Sequence, residues 1–185
     1  MLHGARVFEG IGGLDIGLLF VTTALSAALS GALLLVARNG RGIDALAWWA
    51  IAMLLGSLGL LLLVLPLPQL LTLDFAKATL LLTGPASWTA ARVFVGRRLA
   101  PWRFFMGATL WLVLCQIPIF RASEAAQMAV SCAIGSAYML ATAFTLQLIQ
   151  TERLPSTWPA LILRYFHTAF YALRAALATF GLDRG

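Results

Sequence analysis

The chain has 185 residues, of which 61% are hydrophobic and 11% are charged, with a formal net charge of +6. Soluble domains average about 45–50% apolar and about 25% charged residues, so a water-soluble core of this size could not hide so much apolar side chain. This composition excludes a soluble nucleotide-binding enzyme, a disulfide-stapled secreted module and a disordered tail. It predicts an integral membrane protein.

Six apolar segments are long enough to cross a bilayer, which takes about 20 residues of helix. They predict an all-α, polytopic bundle in a single membrane domain, residues 1–185, with helices at about 14–37, 43–65, 73–95, 102–120, 122–150 and 158–180. Strands are excluded because the runs are too long and do not alternate. We interpret the first segment as an uncleaved helix, since it is longer than the apolar core of a signal peptide. In the third segment, Gly84 and Pro85 are expected to interrupt the helix.

Arginine is concentrated in alternate connections of the predicted bundle. Arg38 and Arg41 lie in the first connection, and Arg97, Arg98 and Arg103 lie around the third, whereas the second and fourth connections are close to neutral. Cytoplasmic loops carry such an excess, and topology explains the positive charge better than nucleic-acid binding does. We therefore expect a bacterial inner-membrane protein with the N-terminus outside. Six crossings would also place the C-terminus outside.

Charged residues near the second and fourth connections have oppositely charged neighbours along the chain. Asp74 and Lys77 are expected to form a surface pair, and Arg121 is expected to pair with Glu124 at a spacing of three residues. Gln116, just before Pro118, is expected to satisfy backbone groups that the proline frees.

The fifth segment carries one face of small and hydroxyl residues: Ser131, Gly135, Tyr138, Thr142 and Thr145. Small residues let membrane helices approach closely, so we expect this face to pack against a neighbour. A hydroxyl-lined ligand face is the alternative, and the same small-residue face would also suit a homodimer.

The last segment carries the most informative polar residues. Arg164, His167, Tyr171 and Arg174 are spaced by three, four and three residues, which puts them on one narrow stripe of a helix. Ionisable groups at membrane depth are costly unless they face a bundle interior or a watery cavity. The stripe is therefore a candidate ligand- or proton-sensing site, with helix packing as the structural alternative.

Catalysis and cofactor binding find little support in the sequence. No nucleophile elbow, zinc-binding helix motif or glycine-rich phosphate loop is present. Cys115 and Cys132 fall in apolar runs and are expected to be reduced, buried thiols, and no metal or cofactor is expected. As it stands, the chain is not expected to be an enzyme.

Three stretches of sequence carry a family resemblance. They are residues 47–53 (AWWAIAM), residues 65–75 (LPLPQLLTLDF) with 87–98 (SWTAARVFVGRR) and the Pro101-Trp102 pair, and residues 165–174 (YFHTAFYALR). In order and spacing they resemble the N-terminal membrane region of bacterial diguanylate cyclases, the GGDEF-domain proteins.

The resemblance implies a signal-input or anchor domain for cyclic-di-GMP signalling, with lipid and a cytoplasmic output domain as partners. That family continues into one more membrane helix and a cyclase domain. Because no GGDEF motif occurs here, the chain is expected to be a sensor region without catalytic activity of its own. A small transporter or permease subunit, with the Arg164–Arg174 stripe lining its pathway, is the runner-up. A purely structural anchor is the third possibility.

Overall fold

The computed structural model describes residues 16–41, 43–65, 69–97, 101–147 and 158–179. Its helices are α1 (Ile16–Arg41), α2 (Asp44–Val64), α3 (Gln69–Phe94), α4 (Pro101–Leu114), α5 (Pro118–Ala122), α6 (Glu124–Gln147) and α7 (Trp158–Thr179). No strand occurs in these ranges, and the all-α class is confirmed.

The segment predicted as one helix over 102–120 is divided, so the described chain has seven helices where six were expected. Helix α4 ends at Leu114 because Pro118 has no N–H to continue the ladder. The backbone N–H of Gln116 instead bonds the carbonyl of Val113 at 3.1 Å. The Gln116 side chain donates to the carbonyl of Leu112 at 3.2 Å, so it does satisfy a backbone group. The carbonyl that Pro118 deprives of its donor is that of Leu114, and it accepts from the backbone N–H of Ile117 at 3.0 Å.

Helix α3 does not break at its proline, contrary to the expectation from Gly84 and Pro85. It runs continuously from Gln69 to Phe94 with Pro85 inside it. Pro85 is fully buried, and its carbonyl accepts a hydrogen bond from Thr89 Oγ1 at 2.7 Å. Packing on every side holds the helix together across the missing N–H, as membrane helices commonly permit.

Helix α3 is the centre of the fold, since it contacts α2, α4 and α6, while α1 packs on α2 and α7 packs on α6. Its buried residues are mostly alanines: Ala76, Ala78, Ala86, Ala90 and Ala91. Small side chains allow close helix approach, which is how bundles gain van der Waals contact in lipid. Cys115 and Cys132 are buried thiols that do not take part in a disulfide, as expected.

Among the described residues, three helices are long and apolar enough to cross a membrane: Gly17–Gly40, Asp44–Val64 and Glu124–Gln147. Helix α1 leaves Leu25, Leu29 and Leu33 more than 60% exposed, which would be a large apolar patch in water and suits contact with lipid. The apolar helix at Trp102–Leu114 is shorter. The structure therefore supports a membrane protein with at least these three candidate spans.

Candidate functional site

Polar side chains from four helices meet at one end of the bundle, in a group we call the α3–α6 polar cluster: Asp74, Lys77, Trp111, Arg121 and Gln127. Arg121 Nη2 donates to Asp74 Oδ2 at 2.6 Å, which joins α5 to α3. Lys77 Nζ donates to Gln127 Oε1 at 3.0 Å, which joins α3 to α6. The start of α3 is thus held to α5 and to the start of α6 by charge-assisted hydrogen bonds.

Both local ion pairs predicted from the sequence are wrong. Asp74 pairs with Arg121 and not with Lys77, and Arg121 pairs with Asp74 and not with Glu124. Asp74 and Lys77 are neighbours on α3, but the helix crossing brings Arg121 to Asp74. Arg121 and Glu124 lie on separate helices, because α5 ends at Ala122 and α6 begins at Glu124. The side chain of Asp74 is only 19% exposed, so a geometrically good partner matters more than at an open surface.

Trp111 forms the apolar wall of this cluster. It is fully buried, and its ring packs edge-on against Phe120 with centroids 5.6 Å apart. Lys77 Nζ lies 5.3 Å from the centroid of the Trp111 ring, within the range of a cation–π interaction. The indole Nε1 finds no hydrogen-bond partner within the described ranges, although buried tryptophans usually have one.

The polar face of α6 packs as predicted. Tyr138, Thr142 and Thr145 are buried, while Ser131 and Gly135 are half-buried. Tyr138, Thr142 and Thr145 therefore serve helix packing, whereas a Cβ added at Gly135 would have no atom within 4 Å.

Two long-range hydrogen bonds fix that face against its neighbours. Trp88 Nε1 on α3 donates to Thr145 Oγ1 at 3.0 Å, and the hydroxyl of Tyr138 donates to the carbonyl of Arg103 on α4 at 2.9 Å. The sequence contained one signal for the second bond, because a buried tyrosine in a membrane helix needs a partner for its hydroxyl.

The stripe predicted on the last segment lies on α7. The side chains of Arg164, His167 and Tyr171 lie outside those that the structure describes, and Arg174 is exposed. The stripe therefore stays a prediction. Helix α7 packs along α6, and its half-buried Tyr165 packs against the cluster formed by Ala91 of α3 with Ala143 and Leu146 of α6.

Within the described part of the chain, no three His, Cys, Asp or Glu side chains lie together as metal ligands would. The polar groups that do converge form interhelical contacts. They hold helices together and place two cations, Lys77 and Arg121, beside one half-buried carboxylate and one indole ring.

Fold and site together define a helical protein with the length and apolar surface of a membrane bundle, organised around α3 and α6. Comparison with known protein families, with curated proteins and with solved structures finds no match to this chain.

Proposed function

We propose that the chain is a membrane-embedded signal-input domain that acts on a cytoplasmic output in cyclic-di-GMP signalling, in a bacterial inner membrane. The cyclic-di-GMP assignment is supported by the sequence resemblance to the membrane region of GGDEF-domain proteins. The chain itself would bind or sense and would not catalyse. A signal-input domain needs a site that responds to the stimulus and a helix that can pack in two alternative ways. It also needs a connection from that helix to the output domain.

The observation that carries this proposal is the packing of α7 on α6 at a cluster to which α3 also contributes. Tyr165 packs against this cluster, which Ala91 of α3 forms with Ala143 and Leu146 of α6, so it lies where the two helices meet. A small shift of α3 relative to α6 would change the surface against which this side chain packs. Helix α7 is the last described helix, and through Tyr165 it would pass such a shift towards the C-terminus.

The α3–α6 polar cluster lies at the opposite end of the same helix pair. Its two interhelical contacts, Arg121 to Asp74 and Lys77 to Gln127, set the spacing of α3 against α5 and α6. A bound ligand, a change in protonation or a change in the surrounding lipid could alter these contacts. It would then alter the packing of α3 against α6 at the cluster against which Tyr165 packs. It could do so only by favouring one of two packings over the other.

The test is a fusion of the full chain, through one further membrane helix, to a diguanylate cyclase domain, with cellular cyclic-di-GMP as the readout. Tyr165→Ala should shift the output several-fold, because it removes the side chain of α7 that packs against the cluster shared by α3 and α6. Leu173→Ala is the matched control, since Leu173 lies on the same helix and is 58% exposed. Equal output from the unmodified fusion and both variants, at equal protein level, would reject the input role and favour an anchor.

The transporter alternative has weaker structural support. It needs an opening opposite the α7 stripe, and Gly84 with Pro85 was the best candidate for a broken helix there. A Cβ added at Gly84 would lie 2.9 Å from the Cβ of Tyr138, so α6 fills this position. Substrate flux in proteoliposomes that Arg174→Leu abolishes would nevertheless favour transport over signal input.

A further inference from the structure

A cleft opens at the end of the bundle opposite the polar cluster, between the end of α1, the first turns of α2 and the end of α3. Its volume is about 350 Å³, and its lining residues are Arg38, Asp44, Ala47, Trp48, Val93, Gly96 and Arg97. Two guanidinium groups therefore border one cleft, one from the last turn of α1 and one from the turn that follows α3. We propose that this cleft, the basic cleft, binds a phosphate group, and that its source is the headgroup of an anionic phospholipid.

The end of α3 is shaped to place Arg97 at the cleft. Gly96 has a φ of +74°, and two hydrogen bonds close the helix end: Gly96 N to the carbonyl of Val93 at 2.9 Å and Arg97 N to the carbonyl of Arg92 at 2.7 Å. This is the Schellman arrangement, in which glycine takes the left-handed position. The tight turn reverses the chain and leaves Arg97 exposed at the rim.

The two arginines of the cleft differ in whether another side chain already binds the guanidinium group. Arg38 Nη2 donates to Asp44 Oδ1 at 3.1 Å, in a pair whose side chains are 44% and 71% exposed. Arg97 has no ion pair or side-chain hydrogen bond with the described part of the chain. One guanidinium is thus free to bind an anion, and the other could bind it in competition with Asp44. Guanidinium groups match phosphate oxygens well because they donate two parallel hydrogen bonds.

The position of the cleft favours a lipid as the source of the phosphate. Val36, two residues before Arg38, is 70% exposed, and Phe94, three residues before Arg97, is 45% exposed. Each arginine thus follows an exposed apolar residue by less than one helical turn. Such an order is typical of the boundary between acyl chains and headgroups, where basic pockets between membrane helices bind anionic lipids.

Aromatic rings mark the same boundary. Trp48 lines the cleft, and its ring lies 5.8 Å from the Phe104 ring; Trp102, two residues before Phe104 on α4, is 62% exposed. Tryptophan is enriched at headgroup level in membrane proteins. A phosphate between Arg38 and Arg97 would therefore leave its acyl chains beside the exposed apolar residues of α1 and α3.

The experiment is native mass spectrometry of the full chain in detergent, titrated with phosphatidylglycerol or with phosphatidylcholine. We expect preferential retention of phosphatidylglycerol. Arg97→Gln and Arg38→Gln should each weaken it about five-fold, the effect of one surface cation on an anionic lipid. Arg97→Lys should keep most of the binding, and Asp44→Asn should strengthen it, because Asp44 no longer competes for Arg38.

Arg103→Gln is the matched control, since it removes one positive charge at the same end of the bundle from a residue that does not line the cleft. Equal losses with Arg97→Gln and Arg103→Gln would overturn the site in favour of a diffuse basic surface, as would unchanged binding with Arg97→Gln. Displacement of the lipid by millimolar glycerol phosphate would keep the phosphate site and overturn the lipid as its source. The exposed Arg97→Gln variant should melt like the unmodified protein, which separates lost binding from lost folding.

Discussion

The ion pair between Asp74 and Arg121 joins residues that are 47 positions apart in the chain, with Arg121 Nη2 and Asp74 Oδ2 2.6 Å apart. We expect a double-mutant cycle with Asp74→Asn and Arg121→Gln to give a coupling energy of about 0.5–1 kcal/mol. The value is modest because the Arg121 side chain is 44% exposed and water screens the attraction. The measurement is the free energy of unfolding in mixed micelles as the denaturing detergent is increased.

Glu124→Gln supplies the control for that cycle. Glu124 follows Arg121 by three residues and was its predicted partner, yet the structure pairs Arg121 with Asp74. A cycle between Arg121→Gln and Glu124→Gln should therefore give a coupling close to zero. The reverse result, with strong coupling to Glu124 and none to Asp74, would contradict the crossing of α3 and α5.

His167 and Arg174 carry the second prediction at the level of single residues. In the cyclase fusion, replacing both with Leu should abolish the response of cyclic-di-GMP to external pH, since it removes the imidazole, the one side chain of the stripe of a type that changes charge near neutral pH. Tyr165 and the helix would stay intact, so basal output should be kept. Leu173→Ala is again the neutral comparison, and a response to pH that survives the double replacement would exclude the stripe from sensing.

What the sequence could supply at this scale was residue type and spacing along one helix. It indicated that Tyr138, Thr142 and Thr145 share a packing face, and the burial of all three confirms this. It could not supply the partners of Asp74, Lys77 or Arg121, because these depend on how separate helices cross. Local spacing offers only neighbours on the same helix, which is why both predicted ion pairs were wrong.

The contact of α3 with α6 depends on a glycine at the crossing. A Cβ added at Gly84 would lie 2.9 Å from the Cβ and 3.2 Å from the Cγ of Tyr138, so Gly84→Ala must push the two helices apart. We expect this change to lower the free energy of unfolding by about 1–3 kcal/mol, as other overpacked cores do. Unfolding in mixed micelles measures it.

Gly135→Ala on α6 is the matched control, because a Cβ at Gly135 has no atom within 4 Å. Alanine is also the better helix former, so this variant should keep the stability or raise it by up to about 1 kcal/mol. Equal destabilisation by both alanines would mean that glycine flexibility matters at these positions and that close packing does not.

Two prolines show how far helix boundaries could be predicted from local signals. Pro118 ends α4 four residues earlier, at Leu114, whereas Pro85 lies inside an unbroken α3. The local chemistry of the two residues is the same, since both lack the N–H. Their surroundings differ: Pro85 is enclosed by neighbouring helices, and Pro118 is exposed where the chain turns. The presence of the helices was therefore predictable from the sequence. Whether a helix ended at its proline or continued through it depended on packing.

At the scale of the whole molecule, alternate connections meet at opposite ends of the bundle. The end of α1, the start of α2 and the end of α3 share the basic cleft, whereas the start of α3 meets α5 and the start of α6 through the polar cluster.

Helix α4 has 14 residues, about 21 Å at 1.5 Å per residue, which is shorter than a bilayer core of about 30 Å. Yet Phe104 lies beside Trp48 near the basic cleft, and Arg121 lies beside Asp74. The stretch from α4 through α5 thus extends from one end to the other.

This arrangement gives the last prediction, a C-terminus on the outer side after six crossings. Alkaline phosphatase fused after Gly185 should be active, and green fluorescent protein at the same point should be dark. The same reporters placed after Gly96, beside the basic cleft, should give the opposite pattern, because arginine-rich connections stay in the cytoplasm. If fluorescence appeared at both points, an even number of crossings would separate Gly96 from Gly185 in place of the three predicted, and the fifth segment would be the one to retest. Phosphatase activity at Gly96 together with fluorescence at Gly185 would instead invert the whole bundle and place the basic cleft at the outer leaflet.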